Sequence, residues 1–381
     1  MTNLRLNFYA INPAITNTQN VKHTINKNLY MKKFLIPLFS IVILTSCGTA
    51  KVATNPQSKT STPTSSVSKI DKGFQAAYQN IKLEDLKKNL YVIAADDMGG
   101  RDTGSPGQKK AGEYMINYYK SIGVSFPKTL GSYYQKVPSE YMKKRGGGNL
   151  PDSENILAFI EGSEKPEEIV VISAHYDHVG TKKGVVYNGA DDDGSGTVAV
   201  MEIAKAFQSA KKAGNGPKRS ILFLHVTGEE HGLFGSEFYS DNPVFPLANT
   251  VVDLNIDMIG RDDPDNRGKN YVYVIGSEML SSELKVINEA ANKKTVNLEL
   301  NYKYDEPNDP DRLYYRSDHY NFAKNNIPVA FYFDGIHEDY HKPTDDVEKI
   351  DYVLLQKRTQ LVFATAWEVA NREARIVVDK K

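Results

Sequence analysis

The residues able to do chemistry gather in five short runs: His175-Tyr176-Asp177-His178, NGADDDGSG (188–196), TGEEHG (227–232), Asp257 within LNIDMIG, and HEDYH (337–341). The aspartates 191–193 repel one another in a glycine-rich loop, so they are either solvated or neutralised by a cation. The loop is not an EF-hand, because centring it on Gly194 puts Gly189 at the first ligand position and Val200 at the last. Glu229 and Glu230 follow an apolar run, where two carboxylates are costly unless a metal takes one and leaves its neighbour as a base. Asp257 stands inside an apolar run and needs a partner or a cation. Asp253, in the same run, reads as a surface or capping residue. Asp177 is placed to hold the second ring nitrogen of His175, although a hydrogen-bonded loop histidine explains His175 equally well. His231 reads as a local hydrogen-bonder. A mixed nitrogen and oxygen set suits zinc or a similar first-row ion better than calcium. More than three carboxylates favour two ions sharing a bridge. HEDYH matches the H-E-x-x-H of helical zinc proteases, which needs a helix with both histidines on one face. Gly335 before it and Pro343 after it leave room for a turn at most.

These runs fall at the ends of predicted strands. NILAFIEG (155–162) and EIVVISA (168–174) read as two strands of a hairpin, joined by a short charged turn with a proline. SILFLHVT (220–227) is continuously apolar, as for a strand covered on both faces. TVVDLNIDMIG (250–260), YVYVIG (271–276) and IPVAFYF (327–333) are further strands, and VNLELNYKY (296–304) another extended run. Helices are expected at 72–81, 83–95, 106–122, 194–214, 280–293, 317–326 and 351–373, with a loop-rich stretch at 124–150. This alternation predicts an α/β fold: a three-layer α-β-α sandwich around a mixed, mostly parallel sheet. In such sheets, sites form outside the carboxyl ends of the strands.

The runs AHYDHVG, NGADDDGSG, TGEEHGLFGS, NIDMIG, YYRSDHYNFAKNNIP and YHKPTDD, in this order over roughly residues 83–372, resemble the di-zinc aminopeptidase family. Its relatives include glutamate carboxypeptidase, glutaminyl cyclase and the transferrin receptor. The resemblance implies a zinc exopeptidase-like fold and two Zn2+ ions. His175 and Asp257 would ligate one ion, Glu230 and His341 the other, and Asp192 would bridge them. Glu229 would be the general base acting on a water between the ions, and Asp177 would orient His175. Tyr314, with Tyr315 adjacent, would stabilise the tetrahedral oxyanion. Of HEDYH, only His341 is then a ligand. Glu338 becomes a surface or supporting residue, and His337 is structural or touches substrate. The implied activity is removal of N-terminal residues from peptides. A carboxypeptidase or dipeptidase with the same ions, a glutaminyl cyclase-like transferase and an inactive receptor-like relative are the alternatives. No member of the implied ligand set is missing, which argues against the last. Arg261 and Arg316 flank the motifs and either hold a substrate carboxylate or form structural ion pairs. The leading segment, 72–150, is available to shape the substrate pocket.

Lys+Arg and Asp+Glu both number 47, so net charge gives no argument for a nucleic-acid partner. Hydrophobic residues make up 40% of the chain, enough for a core. The single cysteine, Cys47, excludes an intramolecular disulfide. Ahead of it stand Met31-Lys32-Lys33 and the apolar run Phe34 to Thr45, too short to cross a bilayer. Leu44-Thr45-Ser46-Cys47-Gly48 resembles the lipobox of bacterial lipoproteins, in which the cysteine becomes the lipidated first residue. The expectation is an exported protein, lipid-anchored to a bacterial membrane through Cys47. Translation would then start at Met31, with 1–30 over-called, 31–47 a signal peptide, 48–71 a flexible linker and 72–376 one zinc peptidase domain. No feature of the sequence reports the oligomeric state.

Overall fold

The computed structural model describes residues 69–306 and 308–380. The expected start site, signal peptide, Cys47 and nearly all of the linker lie outside them. Three helices lead: α1 (Lys69–Tyr78), α2 (Leu83–Ile93) and α3 (Pro106–Ile122). Helix α3 begins where Ser105 accepts from the Gln108 amide and Pro106 takes the first turn. It ends at Gly123, whose φ of 79° favours glycine. Strand β1 (Tyr134–Val137) and helix α4 (Ser139–Lys144) give structure to the expected loop-rich stretch. There follow β2 (Ser153–Ile160), β3 (Lys165–His175), a ribbon of β4 (Thr181–Lys182) and β5 (Val185–Val186), α5 (Gly196–Lys212), β6 (Arg219–Val226), α6 (Phe234–Asp241), β7 (Thr250–Ile256) and β8 (Tyr271–Ile275). The chain continues through α7 (Leu284–Lys294), β9 (Glu299–Asn301), α8 (His319–Ala323), β10 (Val329–Phe333) and α9 (Tyr352–Asn371).

Eight of the strands form one mixed sheet in the order β1-β2-β6-β3-β7-β10-β8-β9. Its middle strands, β6, β3, β7 and β10, run parallel. The β1–β2, β2–β6 and β8–β10 pairs are antiparallel. The hairpin expected between β2 and β3 does not form, because β6 lies between them and pairs with both. Burial explains this. Strand β6 is buried at every position, and a strand apolar on both faces takes a central place.

The pleat of β3 divides the core. Val170, Ile172 and Ala174 pack with residues of α1, α2, α3, α5 and α9, whereas Ile169 and Val171 pack with Tyr239 of α6 and Phe322 of α8. The result is the expected α-β-α layering. Asp253 departs from expectation: it is fully buried in β7 and accepts a 2.8 Å hydrogen bond from Ser173 Oγ. Both faces of β7 are covered, so no surface position exists there. Burial pushes the Asp253 carboxyl well above the usual range.

His225 in β6 and His319 in α8 are also fully buried, and burial pushes each imidazole down to about 3. His225 Nε2 lies 2.6 Å from Tyr119 Oη. An unfolded imidazole titrates near pH 6.5, so the stability that such a neutral histidine supplies is full above that pH. It is lost as the pH falls towards 3, at about 1.4 kcal/mol per pH unit. His225→Gln can still meet Tyr119 but cannot titrate. Relative to the parent, it should gain roughly 2 kcal/mol in urea denaturation between pH 6.5 and pH 5. Parallel pH profiles for the two proteins would contradict this.

Candidate metal centre

The four parallel strands end side by side, and each ends at a chemistry-bearing residue or loop. His175 closes β3, Asp257 follows β7, Glu229 and Glu230 lie in the loop after β6, and His341 lies in the loop after β10. Asp192 comes from the turn Ala190–Ser195 that opens α5. All the expected ligands therefore converge at one edge of the sheet.

The three aspartates resolve their repulsion by facing different ways. Asp191 Oδ1 accepts from the Gly260 amide at 2.6 Å. Asp193 Oδ1 accepts from the Gly196 and Met258 amides at 2.8 and 3.1 Å. The Asp345 carboxylate accepts from the Asp191 and Asp192 amides at 3.1 Å. Only Asp192 is left to face the cleft. A Cβ on Gly196 would stand 2.4 Å from Asp193 Oδ1, so glycine is required at that helix start.

Asp192 offers one oxygen to each of two groups. Its Oδ1 lies 3.2 Å from His175 Nε2, which is 3.5 Å from Asp257 Oδ1. Its Oδ2 lies 3.1 Å from His341 Nε2, which is 3.0 Å from Glu230 Oε2. Two donors each about 2.0–2.1 Å from a tetrahedral zinc stand roughly 3.3 Å apart, so these separations fit two such ions. His175 Nε2, Asp192 Oδ2 and Glu230 Oε1 are buried and, among the described residues, have no hydrogen-bond partner. A cation shared between such orphaned atoms would satisfy them.

Neighbouring residues orient the donors. His175 Nδ1 lies 3.0 Å from the main-chain oxygen of Asp177, with the Asp177 carboxylate farther off at 3.8 Å. Asp177 thus meets His175 through its backbone. Its carboxylate accepts instead from Thr103 Oγ1 at 2.9 Å and from the Glu229 amide at 3.3 Å. Ser317 Oγ donates to Asp257 Oδ2 at 2.7 Å, which leaves Oδ1 facing His175. Burial pushes the Glu229 carboxyl well above the usual range; His175 opposes this, and Asp257, Glu230 and Asp318 reinforce it.

A cleft with a cavity volume of about 30 Å³ opens on Asp192, Glu229 and Asp257, walled by Leu313, Phe331, Phe333 and Ile336. Tyr340 lines it, and burial together with Asp192, Glu229, Asp257 and Glu230 pushes its hydroxyl up. Tyr314 is not brought to this cleft. The short 3-10 turn Leu313–Tyr315 puts Leu313 in the cleft wall, while the Tyr314 ring packs with Tyr315, His319 and Tyr320. The phenol facing the carboxylates is therefore Tyr340, and its adjacency to His341 was the available signal.

His178 is a second residue that the sequence reading passed over. It is fully buried, with Nδ1 2.7 Å from Glu230 Oε1 and 3.7 Å from Asp192 Oδ2. With those two residues it forms, among the described residues, one of two groups whose ligand atoms lie close enough together to hold an ion, the other being His175, Asp192 and Asp257. His337 takes the structural alternative, its Nε2 3.1 Å from Asp191 Oδ2. Glu338 is exposed and pairs with Arg267, and His231 meets Asp102 at 2.8 Å. Arg261 forms an ion pair with Asp339 at 3.0 Å, whereas Arg316 lines the cleft. The leading segment contributes none of the residues that line this cleft.

Residues 155–366 match the model of Peptidase family M28. The chain belongs to that family. A probable leucine aminopeptidase of Arthroderma benhamiae is 30% identical over 227 residues, covering 57% of each chain. The chain thus spans little more than half the length of such curated relatives. Among solved structures, the Legionella pneumophila LapA aminopeptidase is similar with a TM-score of 0.63 and 18% identity, over 85% of this chain and 81% of that one. The zinc aminopeptidase BSAP of Bacillus subtilis gives 0.58 and 17% identity, over 77% of this chain and 96% of that one. At these identities the structural likeness speaks for the fold alone.

Because Asp192 faces both groups, Asp192→Ala should cost both zinc equivalents after dialysis against metal-free buffer. His175→Ala should cost the one it shares with Asp257. Elemental analysis showing two ions retained by Asp192→Ala would contradict the shared-carboxylate arrangement.

Proposed function

We propose that the protein is a zinc metallopeptidase, and specifically an aminopeptidase with two Zn2+ ions. The observation that carries this reading is Asp192, which presents one oxygen to each histidine–carboxylate group in the cleft that Glu229 also lines. His175, Asp192 and Asp257 would hold one ion, and Asp192, Glu230 and His341 the other. When bound, such ions polarise a scissile carbonyl and lower the pKa of the attacking water. Glu229 would accept the proton of that water and pass it to the departing amine. The Tyr340 hydroxyl donates to the developing oxyanion. Leu313, Phe331 and Phe333 receive an apolar side chain and exclude water. The names of the leucine aminopeptidase relatives support this choice of substrate.

One observation favours a second reading. Arg316 stands exposed at the cleft, where a guanidinium suits the terminal carboxylate of a dipeptide. Dipeptides cleaved in preference to longer peptides and aminoacyl reporters would select the dipeptidase. We also propose, from Met31 to Cys47, that the enzyme is exported and lipid-anchored through Cys47, with the residues between Cys47 and the start of α1 at Lys69 as its tether. Cys47→Ser should then move the protein from the detergent phase to the aqueous phase on extraction of the native host. An unchanged partition would refute the anchor.

The catalytic assignment has its own test. Glu229→Gln should keep both zinc ions and lower turnover of aminoacyl reporters by roughly 10²–10⁴-fold, the usual contribution of a general base. Chelation should abolish parent activity, and zinc should restore it. Parent-like turnover of Glu229→Gln, or chelator-resistant activity, would refute the mechanism.

A further inference from the structure

Arg101 is a fully buried cation with no part in the steps above, and it lies ahead of the segment matched by the family, 155–366. It sits in a turn of the leading segment at a φ of 51°, after Gly99 and Gly100, which are also at positive φ. Its guanidinium donates to four main-chain oxygens: Ile93 at 2.9 Å, Tyr176 at 2.9 Å, Asn188 at 2.7 Å and Gly189 at 2.9 Å. Ile93 ends α2, Tyr176 follows His175, and Asn188 and Gly189 lead into the turn that carries Asp192. Two main-chain bonds join the same turn to the loop after β3, from His178 N to Arg101 O at 3.2 Å and from Gly180 N to Gly100 O at 3.0 Å. A Cβ on Gly100 would stand 2.4 Å from the Gly180 oxygen, so glycine is needed for this approach.

The choice of acceptors is informative. A guanidinium bonded to Asp192 would occupy the lone pairs that a metal needs. Arg101 instead grips carbonyls on both sides of the gap between His175 and Asp192. Among the described residues, its hydrogen bonds all go to main-chain oxygens and none to a carboxylate.

We infer that Arg101 is a positioning residue for the metal centre: its planar fork fixes the spacing between the end of β3, which carries His175, and the turn carrying Asp192. Since Asp192 faces both groups, that spacing governs both ion positions. The inference rests on the two-zinc reading. Lysine is not an adequate substitute, because an ammonium on a flexible stem cannot reproduce the five-donor fork.

The test compares the parent with Arg101→Lys and Arg101→Met. Each zinc-free protein is first checked for cooperative unfolding. Zinc affinity is then measured by competition with a chromophoric chelator, followed by kcat and KM on an aminoacyl reporter. Both variants should fold without metal and bind zinc about 10–100-fold more weakly at both positions, the range for loss of a supporting contact. The loss in kcat/KM should fall on kcat, because Arg101 does not touch the cleft walls. Parent affinity in Arg101→Lys would show that charge alone suffices and would overturn the inference. So would parent affinity in Arg101→Met, or failure of both variants to fold without metal, which would make Arg101 a core residue only. A parent that binds no zinc would overturn the function reading, and this inference with it.

Discussion

The cost of burying carboxylates governs this structure. Asp177, Asp191, Asp192, Asp193, Glu229, Glu230, Asp257 and Asp345 crowd one edge of the sheet, nearly all out of contact with water. Buried acids this close cannot all ionise without compensation. The fold supplies it in three ways. Main-chain amides meet Asp191, Asp193 and Asp345. Hydroxyls meet Asp177 and Asp257. Imidazoles face Asp192 and Glu230 without lying along hydrogen bonds. That last arrangement leaves lone pairs converging on shared points, the condition a bound cation satisfies.

The architecture follows from that need. Parallel strands end together, so β3, β6, β7 and β10 deliver their terminal residues to one edge. The apolar bodies of these strands, packed between two helical layers, hold those ends in place. The leading segment adds Thr103 on the Asp177 carboxylate and Arg101 on the main chain of two site loops.

Much of the site was legible in the sequence because its donors sit where periodicity breaks. The ends of EIVVISA, SILFLHVT and IPVAFYF are visible as apolar runs giving way to His175, to Gly228-Glu229 and to Asp334-Gly335. Features that depend on what lies across a gap were not legible. The pairing of β2 with β6 in place of β3 turns on the burial of β6, which nearness in sequence does not report. Asp253 looked like a surface residue because one polar residue in a strand says nothing about its second face. Tyr314 and Tyr340 are both tyrosines beside site motifs, and only the turn at Leu313–Tyr315 decides which reaches the cleft. In HEDYH, spacing alone could not divide the roles. His341 faces Asp192, His337 supports Asp191, and Glu338 pairs at the surface.

In the proposed centre one carboxylate, Asp192, is shared by two zinc ions. Anomalous diffraction from a crystal of the zinc-loaded protein, recorded on either side of the zinc edge, tests it most directly. Two peaks are expected roughly 3.5–4 Å apart, one beside His175 and Asp257, the other beside Glu230 and His341, with Asp192 between them. A single peak, or two peaks of which one lies away from Asp192, would contradict it.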